Sequence, residues 1–169
     1  MRIVFLREME HPILINIGTK RDIIALAYEE LSVVAQGAVS DSGQSLYDAV
    51  IPHSTDVQRM CRMVDEAFSL LRERLRLIYD VTDRFVAKEQ EGDEEVERIY
   101  HRLFLNTPDL QESATIEYDT KRYFVLYVIT NYLRERYKVR ADEYGQMCQS
   151  QMQLVISEFL THKQPTRRC

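Results

Sequence analysis

The side chains able to do chemistry are thinly spread along this chain of 169 residues. Its histidines, His11, His53, His101 and His162, fall in different predicted elements. A metal-binding or general-base role would need partners that only the fold could bring beside them. Each is therefore read as a surface or boundary histidine. The cysteines, Cys61, Cys148 and Cys169, are an odd and widely spaced set, with neither a CxxC nor an HxxxH spacing anywhere in the chain. That spacing suits reduced thiols, not a disulfide framework or a zinc site. Cys61 falls on the apolar face of a predicted helix, where a thiol is ordinarily an inert core residue; nucleophilic work would need an accessible, electropositive setting. His53-Ser54-Thr55 sets a histidine beside hydroxyls, but at the mouth of a helix such hydroxyls serve as caps. Asp80 and Asp83 read as solvated charges. No glycine belongs to a GxGxxG or GxxxxGK[ST] loop, so the ordinary phosphate cradles are absent. The residues point to no catalytic centre, no cofactor and no metal.

The elements that would position these residues are mostly helices. Only 5 Gly and 4 Pro punctuate the chain, which favours long helices over a sandwich or small barrel. Apolar residues at 45% and charged residues at 29% describe an ordinary globular domain and exclude a disordered one. The first apolar run, Ile3–Leu6, is too short for a signal-peptide core or a membrane span, so a protein of the cytosol, or one assembled there, is expected. A net charge of −5 repels nucleic acid overall and leaves room only for a local basic patch.

Ile3–Leu6 and Ile13–Ile17 are predicted short strands that could pair. Thr19 opens a helix over Arg21–Gln36, with Ile23, Leu26, Ala27, Leu31 and Val34 on one face and Gly37 suited to its C′ position. Leu46–Ile51 reads as a helical turn before Pro52. A second helix begins at the capping-box spacing Thr55-x-x-Gln58 and carries an apolar stripe from Val57 to Ile78. From Asp80 to Asn106 the period changes to two, which predicts a long β-hairpin over 81–105; a helix from Asp93 to Leu105 is the competing reading. The third helix is predicted over Glu117–Lys138. Its dense apolar run, Tyr123–Ile129, suggests burial in the middle of a bundle or in an interface. The fourth, over Ala141–His162, carries Tyr144, Cys148, Met152, Val155 and Phe159 and runs antiparallel to the third. A basic tail, 163–169, follows. The fold class is thus a mainly α, single-domain bundle of about four helices, with a β-hairpin or extended loop inserted between helices two and three.

Three features suit contacts between proteins. Of 10 tyrosines, six fall between Tyr118 and Tyr144; Tyr123, Tyr127, Tyr132, Tyr137 and Tyr144 offer large apolar areas with polar tips. Arg134 and Arg136, with Lys138 and Arg140, form one basic group, and Arg167 and Arg168 another at the tail, able to dock on an acidic partner or in passing on DNA. Six acids crowd Glu89–Glu97, among them Glu91, Asp93, Glu94 and Glu95 at the predicted hairpin tip.

Lys20-Arg21-Asp22-Ile23, then Ser45–Ile51 leading into Asp56–Phe68, then Tyr123–Tyr137 followed by Ala141-Asp142-Glu143-Tyr144, and the ending Gln164-Pro165-Thr166-Arg167-Arg168 together resemble the small head–tail connector proteins of tailed bacteriophages and prophages. The wider adaptor, or head-completion, class is similar. The chain departs from that pattern at Glu8–Gly18, which looks inserted, and at the acidic Glu89–Glu97. The resemblance implies a helical bundle carrying a hairpin, self-association into a ring between portal and tail proteins, and a place in the virion. It implies no catalytic residue, no membrane and no small-molecule substrate. A second reading is a helical protein-binding or regulatory module of the host cell, monomeric or a two-fold dimer. A third is an enzyme whose site is assembled only in space.

Overall fold

Thr19 converts a strand into a helix. Its backbone is still extended (φ −90°, ψ 155°) while its hydroxyl accepts from the Asp22 amide at 2.9 Å and the Asp22 carboxylate accepts from the Thr19 amide at 3.0 Å. This reciprocal box satisfies two donors that a helix start leaves unpaired. Just before it, Gly18 sits at φ 89°, and a Cβ there would stand 3.1 Å from the Lys121 side chain. Only glycine takes that conformation without strain.

The computed structural model describes residues 13–76, 83–91, 94–103 and 113–161. Strand β1 (Ile13–Thr19) leads into α1 (Lys20–Gln36). The short α2 (Tyr47–Val50) and one 3-10 turn (Ser54–Asp56) precede α3 (Val57–Arg76). A hairpin of β2 (Asp83–Glu91) and β3 (Glu94–Leu103) follows, then α4 (Ser113–Leu133) and α5 (Lys138–Thr161). The protein is a mainly α bundle of four long helices, with a hairpin between the second and third of them.

Helix α4 is the centre. Tyr123, Phe124, Val125, Leu126, Val128, Ile129, Tyr132 and Leu133 are all buried, so the second half of the helix packs on nearly every side. Helices α1, α3 and α5 and strand β1 pack around it. Phe124 meets Tyr123 edge-on at 5.6 Å and Phe68 of α3 at 6.3 Å between ring centroids. The outer helices bury one stripe each, as amphipathic helices do. Ile23, Ala27 and Leu31 of α1 are buried as predicted, whereas Leu26 turns outward and Ile24 and Ala35 turn in.

The strands form one antiparallel sheet in the order β1-β3-β2. The predicted partner of Ile13–Ile17 (residues 3–6) lies outside the described residues; β1 pairs with β3, Ile13 opposite Leu103 and Thr19 opposite Arg98, with a register shift between Asn16 and Gly18. The period-two reading of 81–105 holds over β2 and β3, and the competing helix does not form. Central β3 thereby finds ladder partners for its backbone on both sides.

Several boundaries differ from the sequence reading. Helix α4 starts four residues earlier than predicted and stops at Leu133, and α5 starts at Lys138. The Arg136 and Tyr137 amides both turn back to the Leu133 carbonyl, at 2.9 and 2.7 Å, which ends α4 tightly without glycine or proline. The entrance to α3 is closed by Asp56, which accepts from the His53 amide at 3.0 Å, in place of the expected Thr55–Gln58 box. Gly37 ends α1 at φ −100°, so its left-handed freedom goes unused.

Candidate assembly surfaces

Two tyrosines expected at an interface are core residues. Tyr123 and Tyr132 are fully buried, because α4 runs through the middle of the bundle. Burial pushes both phenols well above their ordinary pKa. The Tyr123 hydroxyl has only a marginal bond, 3.5 Å to the Ala67 carbonyl. The Tyr132 hydroxyl donates to the Asp56 carboxylate at 3.0 Å and lies 3.3 Å from the Ile51 carbonyl. Tyr127, Tyr137 and Tyr144 are half-buried against the core. Burial, reinforced by Glu30, pushes Tyr144 up to about 12.

Arg136 is likewise committed inside its own chain. Its guanidinium lies 4.0 Å from the Tyr132 ring centroid and 3.0 Å from Asp56. Asp56 therefore gathers the His53 amide, the Tyr132 hydroxyl and Arg136 around one carboxylate. Burial alone would raise its pKa, but these hydrogen bonds and the guanidinium charge outweigh it and hold the carboxyl below the usual range. Nearby, Arg59 pairs with Glu135 at 2.7 Å. These contacts fasten the α4–α5 turn to the entrance of α3. Outward the turn presents Arg134 and Lys138, both exposed and without an ion-pair partner among the described residues, beside the exposed acids Glu135 and Asp142, and Arg140, paired with Glu143 at 2.5 Å.

The sheet joins the bundle away from that turn, at Lys121, twelve residues or about 18 Å back along α4 from Leu133. Gly18 faces Lys121 in the first half of α4, and Lys20 at the start of α1 binds Asp65 at 2.6 Å. The extensive contacts of β2 are with β3, and those of β3 are with β2 and β1; among the described residues, the sheet's extensive contacts with α1 and α4 come from β1. Beyond Arg98, where β1 stops pairing, the hairpin runs on from Lys88 to Glu91 and from Glu97 to Glu94, about 13 Å of strand. Register sets Glu91 opposite Glu94 and Gln90 opposite Glu95 at its far end, with Lys88 opposite Glu97 behind them. Like charges placed directly opposite weaken a pair, so register makes this end of the hairpin acidic. Asp93, Arg167 and Arg168 lie outside the described residues.

Two grooves mark the flanks. One, of about 380 Å³, runs between α1 and α4 and includes Leu26, Val33 and Tyr118. Across it, Arg122 grips Glu30 through both guanidinium nitrogens, at 2.5 and 3.0 Å. The other, of about 310 Å³, lies over α4 between α3 and α5 and includes Leu70, Tyr127 and Met152. Among the described residues, no group of three or more His, Cys, Asp or Glu could hold a metal ion. Burial pushes the Cys148 thiol up to about 11, so it stays protonated at neutral pH.

The sequence reading missed the Asp56 cluster, the Glu30–Arg122 pair and a carboxyl pair, Asp119 and Glu158, at the far end of α5. Gln151 donates to Asp119 at 2.9 Å, and Glu158 is pushed up to about 7 by burial and by Asp119. Asp56, three residues after His53, has the spacing of a cap and could have been found. The others join residues tens of positions apart and leave no local signal. Comparison with family models, with curated proteins and with solved structures finds no match to this chain.

Proposed function

We propose that the protein is a non-enzymatic structural subunit that self-associates into a ring in the head–tail connector of a phage or prophage, between portal and tail proteins. The observation that carries this reading is the polarity of the molecule. One region bears a β-hairpin that runs on past β1 and whose register sets glutamates opposite each other at its far end; a separate one bears a braced turn that presents Arg134 and Lys138. A ring needs two different surfaces on each subunit. Two patches of opposite charge meet that need and set the orientation of neighbours. The helical bundle with an inserted hairpin is also the architecture that the sequence resemblance implies.

The test is to replace the six acids of Glu89–Glu97 with Ser and Gln together. Assembly, read as sedimentation against protein concentration, should weaken at least tenfold, and weaken further in the wild type as salt rises. Unchanged assembly rejects the role given to the tip.

A further inference from the structure

Helix α5 has an outer face unlike that of α3. From Tyr144 to Ser157 it has no charged residue over 14 positions, in a chain that is 29% charged, where about four would be ordinary. Yet Met147, Ser150, Leu154 and Ser157 are all exposed, Met147 and Leu154 by 47% and 43%. By contrast, α3 shows Arg62, Glu66, Glu73 and Arg74 to solvent. A solvated helix face is normally charged. Loss of charge and an exposed Met are two marks of an interface core. Met147 and Leu154 stand two turns apart, about 10 Å along the axis, and Ser150 between them permits close approach.

A surface of matching form lies elsewhere on the same chain. In the α1–α4 groove, Leu26 and Val33 are also two turns apart and are 42% and 69% exposed; Tyr118, 69% exposed, forms the wall. The groove's buried-side charges, Glu30 and Arg122, neutralise each other, so an uncharged helix can enter without stranding an ion. Gln146 and Gln153, both exposed, lie beside the α5 seam and offer amides of a kind that suits the groove's remaining polar groups, Glu29 and Lys121.

We infer that the outer face of α5 seats in the α1–α4 groove of a second copy of this chain. This deepens the ring reading and rests on it: seam and groove share no residue, so each subunit gives one and receives the other. Such a contact propagates from copy to copy and closes if the rotation allows.

Disulfide trapping tests it. In a background with Cys61→Ser and Cys169→Ser, Val33→Cys is mixed with Met147→Cys or with Leu154→Cys and oxidised. One of the two mixtures should give a covalent dimer, which also fixes the helix direction, and each variant alone should not. Self-linking of Leu154→Cys alone overturns the groove as the seat. An oligomeric preparation with no cross-link in either mixture overturns this inference and leaves the ring reading standing; a wild type that is monomeric at every concentration overturns both. As a second arm, Leu154→Glu should raise the concentration needed for half-assembly at least tenfold, with an unchanged melting temperature. Assembly equal to wild type overturns the proposal.

Discussion

Replacing Asp56 with alanine should loosen the region that carries the α4–α5 turn. The carboxylate accepts from the His53 amide, from the Tyr132 hydroxyl and from Arg136, each at 3.0 Å, and its side chain is 13% exposed. Hydrogen bonds to a charged group contribute about 1.5–3 kcal/mol each when one partner is removed. Tyr132 keeps the Ile51 carbonyl as an acceptor, and Arg136 can reach solvent. The loss should therefore be about 3 kcal/mol in all, not the sum of three full bonds. For a chain of this size that lowers the melting temperature by roughly 6–12 °C. The assay is urea unfolding followed by far-UV circular dichroism at pH 7, with Asp48→Ala, an exposed acid of the same region, as control. The control should stay within about 0.5 kcal/mol of wild type. The pH dependence gives a second readout. The folded carboxyl lies below 3.8, so its contribution is present above that value and lost as pH falls through the folded pKa. The gap between wild type and Asp56→Ala should close in acid. A loss under about 0.5 kcal/mol at pH 7 would refute the clamp.

Glu158 binds its proton more tightly folded than unfolded, so the stability it contributes is full below 4.5 and is lost as pH rises to about 7; the melting temperature should drop across that window, and Glu158→Gln should flatten the drop. Tyr132→Phe should cost about 1–1.5 kcal/mol by chemical denaturation, whereas Tyr123→Phe, which gives up only a marginal bond, should cost under about 0.5. Gly18→Ala forces a side chain into the left-handed region beside Lys121 and should destabilise by about 1–2 kcal/mol, measured the same way.

What the sequence made legible was whatever has a period. The stripes of α3 and α5 and the alternation on either side of the acidic run set fold class, helix number and hairpin. The dense run Tyr123–Ile129 announced a helix covered on nearly all sides, and the second half of α4 is that helix. What stayed hidden depends on tertiary partners. The α4–α5 boundary carries no glycine or proline; it is set by two amides competing for the Leu133 carbonyl. The pairing of β1 with β3 joins segments some eighty residues apart. Tyrosines that looked suited to an interface on composition are split by where the fold puts them: Tyr123 and Tyr132 face inward from α4, while Tyr127 of α4, Tyr137 of the turn and Tyr144 of α5 lie at the margins of the core. Arg136 read as a free cation because its counter-ion, Asp56, lies 80 residues away in sequence.

The central claim is that this subunit builds a closed assembly from copies of itself. The most direct measurement is native mass over a wide range of protein concentration, with negative-stain images at the highest. The account predicts a discrete multimer of three or more copies, ring-shaped in projection, that dissociates on dilution and at high salt. A chain that remains a monomer, or stops at a two-fold dimer, across the whole range would contradict it.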